Sequence, residues 1–298
     1  MRLVTRGDLD GLACAVLITS GEKIDEILLV HPQDVTDKRL AVTSEDILAN
    51  LPYHRSCAKW FDHHLLTETN ERPPEAFDGR YGLAASAARM VYEYYLPRVP
   101  EIQKYERLLA EVDRLDSAQL NIDDVLEPRD YILLGYTLDP RTGLGAYTDY
   151  FMQLVDGLKT KPIAEIMALP EVEERVRKIQ EQDVRFREIT LKKSKLDGNV
   201  VFTDFRDVTP TPVGNRFLVY TLYPLANISL RVHAAPTPEK VAAVAGHSIF
   251  NRTSRTNVGE LMARFGGGGH RGAGTCLLPV AVAEQKIREM IAAMKKDG

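Results

Sequence analysis

The tripeptide Asp62-His63-His64 is the part of this sequence whose residue types point most directly to chemistry. It follows a largely apolar run at 57–61, which is typical of a short buried strand. A carboxylate and two imidazoles after such a strand can bind a divalent metal ion, because α/β proteins place their ligands at the carboxyl ends of parallel strands. The alternative is a surface histidine pair beside an aspartate, and the tripeptide alone does not separate the two.

A second pair of carboxylates lies near the beginning of the chain. Asp8 and Asp10 stand two positions apart in a glycine-flanked turn, between a strand-like run at 2–5 and an apolar, helix-like run at 12–19. Both carboxylates can face one cation at the end of that strand. A plain turn in which one aspartate caps the helix is the alternative.

Four consecutive glycines at 266–269 form a third feature, with His270 and Arg271 directly after them. A backbone without side chains can come close to a phosphate group, and a cationic neighbour favours that contact. A flexible linker is the alternative, although the run lies between a helix-like and a strand-like segment. The pattern predicts substrate contacts from Gly267, Gly268, Gly269, His270 and Arg271.

Strand-like and helix-like runs alternate over the first 150 residues, which is typical of βαβ units and a mostly parallel sheet. The expected strands are 2–5, 26–30 and 58–61, and the expected helices are 12–19, 84–95 and 101–118.

The remainder of the chain has a different pattern. Residues 171–193 predict a long amphipathic helix, which we interpret as a connector. It is followed by short strands at 200–204, 217–222, 228–232 and 241–247 and by a closing helix at 280–296. The sequence therefore predicts an α/β fold with a parallel-sheet metal-binding domain at 1–170, a helical connector at 171–195 and a smaller α+β domain at 196–298.

Composition favours a cytoplasmic enzyme. The 298 residues are 44% hydrophobic, which is enough for two cores, and no run is apolar for long enough to cross a membrane. The three cysteines lie far apart in apolar segments, so we expect reduced core residues. Residues 196–298 carry 12 Lys+Arg against 8 Asp+Glu, whereas the overall net charge is −4. The basic C-terminal part suits an anionic substrate.

The three motifs together resemble a known family. Asp-x-Asp-Gly at 8–11, Asp-His-His at 62–64 and Gly-Gly-Gly-His at 267–270 occur in this order in DHH phosphoesterases that carry the DHH-associated C-terminal domain. The family includes RecJ-type exonucleases, nanoRNases, cyclic-dinucleotide phosphodiesterases and exopolyphosphatase-like proteins. The resemblance covers nearly the whole chain and implies an active site in the cleft between the two domains. It does not select one substrate.

The resemblance also implies roles for the residues of the first two motifs. Asp8 and Asp10 would each hold one metal ion, and His63 would be a ligand of the second. His64 would contact the substrate phosphate as a catalytic residue. Asp62 would orient an imidazole.

Two further ligands are expected from the family pattern. For the carboxylate from the strand before Asp-His-His the candidate is Asp46, with a helix-capping role as its alternative. For the last carboxylate, about fifty residues after Asp-His-His, Asp113 is preferred over Asp116 because an apolar run leads into it. The sequence departs from the family pattern at residues 3–7, which lack the histidine that many members have shortly before the first Asp and that completes the shell of the first metal ion. Arg6 cannot bind a metal ion, and either contacts a phosphate or is solvated.

The C-terminal part supplies candidates for substrate binding. Two arginines that flank Ser254 can hold phosphate oxygens by charge-assisted hydrogen bonds, and a polar surface loop is the alternative. By resemblance, Arg231 ends a strand that faces the substrate, and His270 faces the metal site as a second catalytic residue. The substrate-binding set is Arg231, Arg252, Ser254, Arg255, the glycines above, His270 and Arg271.

The chemistry expected of this set is metal-dependent hydrolysis of a phosphoester. A mixed set of carboxylates and imidazoles suits one or two Mn²⁺ ions better than Mg²⁺, with Co²⁺ as another candidate. The expected substrate is a short oligonucleotide, a dinucleotide or a nucleotide phosphate. The alternatives are an exopolyphosphatase and a sensor of nucleotide or polyphosphate with weakened turnover. We expect no membrane partner, and a homodimer stays open.

Overall fold

The computed structural model describes residues 1–66, 70–139, 144 and 147–298. The chain forms two compact units, each with its own sheet. The first unit contains Met1–Leu120 and Pro128–Arg177, and the second contains Asn121–Glu127 and Lys178–Gly298.

The sheet of the first unit has five strands, and every pairing in it is parallel. In chain order the strands are β1 (Arg2–Thr5), β2 (Glu26–Leu29), β3 (Asp46–Ala49), β4 (Lys59–Asp62) and β5 (Gly79–Tyr81). Their order across the sheet is β2-β1-β3-β4-β5. Because all pairings are parallel, the five carboxyl ends lie along one edge, where α/β proteins bind ligands.

Helices cover the sheet of the first unit. They are α1 (Leu9–Gly21), α2 (Pro32–Thr36), α3 (Ala87–Tyr95), a 3₁₀ helix (Pro100–Tyr105), α4 (Glu106–Asp116), α6 (Asp130–Leu138), α7 (Thr148–Thr160) and α8 (Ile163–Met167). The short helix α5 (Ile122–Leu126) lies between α4 and α6 in the chain but belongs to the second unit. Every residue from Leu9 to Ile18 of α1 is buried. A helix that is apolar all round lies inside the core, and α1 packs against α3, α4 and α7. The core thus fixes the start of α1, where Asp8 and Asp10 lie.

The second unit has a mixed sheet of six strands: β6 (Ser194–Asp197), β7 (Val200–Phe205), β8 (Ile228–Ala234), β9 (Lys240–His247), β10 (Gly268–His270) and β11 (Ala273–Pro279). The order is β10-β11-β9-β8-β7-β6, and only β7 and β8 pair in parallel. The remaining helices are α9 (Pro170–Lys193), whose residues up to Arg177 belong to the first unit, α10 (Leu218–Leu222), α11 (Val258–Ala263) and α12 (Val280–Asp297). Alternate residues of β8 are buried, so one face of the sheet packs on a core with α11 and α12.

The predicted fold class is confirmed, because a parallel sheet and a second, mixed sheet are both present. The strand predicted at 217–222 is wrong, since this segment forms the short helix α10. Three consecutive residues there, Leu218, Val219 and Tyr220, are all buried, so the apolar run has no period that distinguishes a helix from a strand. Within the described part of the chain, no helix is both long enough and apolar enough to span a membrane.

Candidate active site

Three acceptor side chains meet at the carboxyl edge of the parallel sheet. His63 directly follows β4, Asp10 lies in the first turn of α1, and Asp116 is the last residue of α4. Nε2 of His63 is 3.1 Å from Oδ2 of Asp116 and 3.8 Å from Oδ2 of Asp10. The structure therefore brings two carboxylates and one imidazole to a single point.

The carboxylate of Asp10 is held in place by backbone donors. The N–H groups of Ala87 and Ala88, in the first turn of α3, donate to its two oxygens at 3.0 and 2.8 Å. This arrangement uses the positive end of the helix to stabilise a buried negative charge. Asp10 is therefore positioned before any ligand arrives.

The tautomer of His63 is set by its other nitrogen. Nδ1 lies 3.0 Å from the carbonyl oxygen of Ala84, so Nδ1 carries the proton and donates it. In the neutral ring Nε2 is then a buried lone pair, and it makes no hydrogen bond of good geometry among the described residues although it lies 3.1 Å from Oδ2 of Asp116. In this neutral form all three groups are acceptors, and a lone pair that faces two carboxylates fits a divalent cation.

The protonation equilibria of this cluster reflect its crowded charge. Burial raises the pKa of Asp10 well above its usual range, and the charges of Asp116 and Asp8 add to this effect. Burial lowers the pKa of His63, but the neighbouring Asp116 and Asp10 carboxylates outweigh it and raise this pKa to about 9. Without a cation the cluster therefore retains a proton, which a metal ion would displace.

Asp62 and His64 form a separate pair beside this cluster. Oδ1 of Asp62 lies 2.8 Å from Nδ1 of His64 and also accepts the backbone N–H of His63 at 2.9 Å. Asp62 is buried, whereas the side chain of His64 is 51% exposed. The buried carboxylate orients the imidazole and leaves Nε2 of His64 at the exposed end. The contact of His64 with a substrate stays a prediction.

Asp8 is placed near the cluster but is engaged with other groups. Its Oδ1 accepts from the backbone N–H of Gly11 at 2.9 Å and from Nδ2 of Asn50 at 3.1 Å. Its Oδ2 lies 3.1 Å from Nε of Arg6. Burial raises the pKa of Asp8, and the charge of Arg6 opposes that rise. The contact with Gly11 makes Asp8 the N-cap of helix α1, as the alternative interpretation of this turn predicted.

The structure does not bring Asp46 to this edge, contrary to the expectation that it is a metal ligand. Asp46 is the first residue of β3, so it lies at the amino end of the strand. Its two oxygens accept from Nε and Nη2 of Arg2 at 2.7 and 2.8 Å, and Oδ2 also accepts from the backbone N–H of Thr43. The carboxyl end of β3 is followed instead by Asn50, which the sequence did not single out.

The preference for Asp113 over Asp116 is also corrected by the structure. Asp113 accepts hydrogen bonds from Arg89 and from the hydroxyl of Ser86, so its carboxylate is occupied. Asp116 lies one turn later, at the end of α4, and faces His63. The apolar run before Asp113 reflects the buried face of α4 rather than the position of a ligand.

The glycine run has a structural role within the second unit. A Cβ atom at Gly267 would lie 2.1 Å from the carbonyl oxygen of Thr275, and one at Gly269 would lie 2.3 Å from that of Ala273. The close pairing of β10 with β11 thus requires these two glycines. A Cβ atom at Gly268 or at Gly266 would meet nothing within 4 Å. The φ of +76° at Gly266 favours glycine, so Gly268 is the position of this run at which neither close contact nor backbone conformation explains a glycine.

The other predicted substrate residues are distributed over the second unit. Arg231 lies within β8, and His270 ends β10, where its Nδ1 accepts the N–H of Gly272 at 3.1 Å. Nε of Arg252 donates to the carbonyl of Ile249, and Nε of Arg255 donates to that of Asp297. The remaining two are Ser254, whose hydroxyl is buried without a hydrogen bond among the described residues, and Arg271, which is exposed.

Comparison with solved structures identifies proteins of similar fold. RecJ from Thermus thermophilus, in complex with Mn²⁺, is 13% identical with a TM-score of 0.58, and the match covers 99% of this chain and 52% of RecJ. The DHH domain of a member of the s1p family of ribosomal proteins is 13% identical with a TM-score of 0.54, over 99% of this chain and 85% of that one. These two likenesses concern the fold alone.

A more similar structure is the pGpG-specific phosphodiesterase PggH from Vibrio cholerae. It is 39% identical with a TM-score of 0.87, and the match covers 100% of this chain and 99% of PggH. The chain belongs to the DHH phosphoesterase family. A scan against protein-family models and a search of curated proteins each gave no match.

As a DHH phosphoesterase, the chain is a hydrolase. The sequence predicted that Asp10 and His63 lie at the carboxyl edge of the parallel sheet. It did not predict Asn50, which is buried and donates a hydrogen bond to Asp8. The available signal was the position of Asn50 just before the Leu-Pro turn, since a polar residue between a strand and a turn marks the end of that strand.

Proposed function

We propose that this DHH phosphoesterase hydrolyses the phosphodiester bond of a short oligonucleotide, with the dinucleotide pGpG as the leading substrate. The observation that carries this proposal is the 39% identity with PggH over nearly the full length of both chains. A match of that extent includes both the carboxyl edge of the parallel sheet and the second unit. Because function depends on the site rather than the fold, the more distant likenesses to RecJ add nothing about substrate.

The hydrolysis is proposed to depend on a divalent cation. Asp10, His63 and Asp116 would hold it, because they offer three lone-pair donors and Nε2 of His63 has no hydrogen bond in the described structure. A set that mixes imidazole with carboxylates favours Mn²⁺ over Mg²⁺, and Co²⁺ is a further candidate. When bound, such a cation acts as a Lewis acid and neutralises charge on the phosphoryl oxygens.

The chain's own residues would orient the reacting phosphate. Since Asp62 fixes the proton of His64 on Nδ1, its Nε2 is available at the exposed end of the ring. The role of Asp62 is thus to position the imidazole so that Nε2 can face the reacting phosphate.

The bond changes are those of a simple hydrolysis. Water oxygen bonds to phosphorus, the bond between phosphorus and the 3′ oxygen breaks, and one proton from water ends on that oxygen. Each pGpG molecule then gives two molecules of GMP. No oxidant, reductant or second substrate is required.

The second unit is proposed to bind the anionic groups of the substrate. His270, Arg231 and Arg271 are cationic or hydrogen-bonding groups, and the net charge of 196–298 is positive. At Gly268 an added Cβ atom would contact no protein atom within 4 Å, so the backbone there is open to an approaching substrate. A dinucleotide with a 5′ phosphate and an internal diester offers two anionic groups to such residues.

A cytoplasmic location fits this proposal. All three cysteines are free thiols in the structure, and burial raises the pKa of Cys57 to about 11, which makes its thiol unreactive. Whether the protein forms a homodimer is a separate prediction, and light scattering on the purified chain measures it.

A product assay tests the proposed function. Purified protein with Mn²⁺ is incubated with pGpG, other linear dinucleotides, a cyclic dinucleotide, phosphoadenosine phosphate and polyphosphate, and the products are separated by chromatography. We expect pGpG to be cleaved fastest and to give GMP. Fastest release of phosphate from polyphosphate would instead support an exopolyphosphatase. Binding of pGpG without cleavage would support a sensor.

A further inference from the structure

The carboxyl edge of the parallel sheet has two halves with opposite hydrogen-bonding character. One half is the cluster of Asp10, His63 and Asp116, in which every facing group is an acceptor when the imidazole is neutral. The other half lies at the ends of β1 and β3 and consists of Arg6, Asp8 and Asn50. Asp62, His63 and His64 could also gather three ligand atoms, but Oδ1 of Asp62 is engaged by Nδ1 of His64 at 2.8 Å and by the backbone N–H of His63 at 2.9 Å. The chemistry of Arg6, Asp8 and Asn50 therefore decides whether a second cation fits at this edge.

Asp8 is the one carboxylate among Arg6, Asp8 and Asn50, and both of its oxygens have donors. Oδ1 accepts from Gly11 and Asn50 at 2.9 and 3.1 Å, and Oδ2 lies 3.1 Å from Nε of Arg6. To bind a cation, Asp8 would have to exchange these contacts for one metal bond. Its neighbours would supply no further ligand in their present orientation.

Arg6 and Asn50 each present an N–H group to Asp8. A guanidinium has no lone pair to offer and carries a permanent positive charge, which repels a cation. Asn50 is 1% exposed and turns its amide nitrogen toward Asp8, leaving its Oδ1 buried and without a hydrogen bond among the described residues. Reversing the amide would place its oxygen against a carboxylate oxygen, so the observed orientation is the favourable one.

We propose that the active site holds a single divalent cation, on Asp10, His63 and Asp116, and that the Arg6 guanidinium supplies the second positive charge at this edge. The proposal rests on the metal-dependent function proposed above. It removes Asp8 from the metal ligands and gives it the role of fixing Arg6. The exposed part of Arg6, 35% of its side chain, can donate to a phosphate oxygen of the substrate.

Metal stoichiometry tests this directly. Metal-free full-length protein is titrated with Mn²⁺ by calorimetry, and bound Mn²⁺ is followed by electron paramagnetic resonance. We expect one equivalent and the spectrum of an isolated ion. Asp10→Asn should lose that equivalent. Two tight equivalents in the unaltered protein would overturn the proposal, as would the spectrum of a spin-coupled pair.

A gain-of-site variant provides the converse test. The double change Arg6→His and Asn50→Asp replaces a cation and an amide by two metal ligands next to Asp8. We expect a second Mn²⁺ equivalent and a spin-coupled spectrum. A folded double variant that still binds one equivalent contradicts the assigned role of Arg6 and Asn50. If the variant does not fold, the stoichiometry of the unaltered protein still decides.

The same samples separate this inference from the proposed function. Two Mn²⁺ equivalents together with cleavage of pGpG would overturn the single-cation inference and leave the proposed function intact. One equivalent together with no cleavage of any substrate in the panel would support the inference and overturn the proposed function.

Discussion

His63 and Asp116 face each other across the carboxyl edge of the parallel sheet, with Nε2 and Oδ2 3.1 Å apart. The opposite nitrogen of His63 is held by the carbonyl of Ala84, so the imidazole cannot turn away without losing that bond. Two elements far apart in sequence, the end of β4 and the end of α4, thus present lone pairs to one point. This pair is the basis of the metal assignment.

Asp116→Asn is expected to reduce activity, whereas Asp113→Asn is expected to reduce stability. Asp116→Asn removes a proposed ligand and should lower Mn²⁺-dependent cleavage of pGpG by on the order of 100-fold or more, with little change in melting temperature. Asp113→Asn breaks the bonds to Arg89 and Ser86 and should cost about 1.5–3 kcal/mol of stability while Mn²⁺ binding remains. Kinetics and thermal melting on both variants measure this. A stable, inactive Asp113→Asn beside an active Asp116→Asn would reverse the assignment.

Asp46→Asn should affect stability in a pH-dependent way and leave catalysis intact. Burial alone would raise the pKa of Asp46, but the hydrogen bonds from Arg2 and Thr43 outweigh it and lower this pKa. A lowered pKa in the folded state means that the carboxylate stabilises the fold above its unfolded pKa of about 3.9 and loses this effect as pH falls through the folded value.

Urea unfolding at neutral and acidic pH measures this effect. At neutral pH we expect Asp46→Asn to lose about 1.5–3 kcal/mol, and the difference from the unaltered protein should shrink in acid. Glu93→Gln is the matched control, because its ion pair with Arg80 is exposed and should contribute at most about 1 kcal/mol. A loss of turnover per folded molecule in Asp46→Asn would restore Asp46 as a site residue.

Glycines 267 and 268 should respond differently to substitution. Gly267→Ala places a methyl group against the Thr275 carbonyl and should destabilise the protein by about 1–3 kcal/mol. The Cβ atom of Gly268→Val has no protein atom within 4 Å, so this change should cost less stability than Gly267→Ala, but it should raise KM for pGpG if the backbone approaches the substrate. Chemical denaturation and steady-state kinetics separate the two effects. An unaltered KM in Gly268→Val means that the run serves only the hairpin.

His270→Ala and Arg255→Ala should separate catalysis from binding in the second unit. If His270 contacts the reacting phosphate, its removal lowers kcat as well as kcat/KM, whereas loss of Arg255 mainly raises KM. The Arg255 effect should diminish at high salt, because an exposed charge is screened. Initial rates over a range of pGpG concentrations at two salt concentrations give both parameters. Unchanged parameters in both variants would exclude these two residues from substrate binding.

The sequence predicted the sheet and its edge well, because strands β1, β2 and β4 are short apolar runs before polar turns. It placed His63 correctly after β4, and it placed Asp10 near the junction of β1 and α1, where the residue lies in the first turn of the helix. The prediction placed Asp46 at the wrong end of β3, because the sequence does not distinguish the first residue of a strand from the last when the strand boundaries are unknown.

The choice between Asp113 and Asp116 could not be made from spacing. Both lie on α4 one turn apart, and what separates them is a partner distant in sequence. Asp113 pairs with Arg89 on α3, and Asp116 meets His63 after β4. Likewise, the contacts of Asn50 and Arg6 with Asp8 depend on the register of β1 with β3, which the sequence does not reveal.

Cleavage of pGpG before and after addition of Mn²⁺ to metal-free protein tests the central claim most directly. We expect no GMP before the addition, two GMP per pGpG after it, and no product with Asp10→Asn under either condition. Equal cleavage of pGpG by metal-free protein and by Asp10→Asn, or no cleavage by the unaltered protein with Mn²⁺, would contradict the claim.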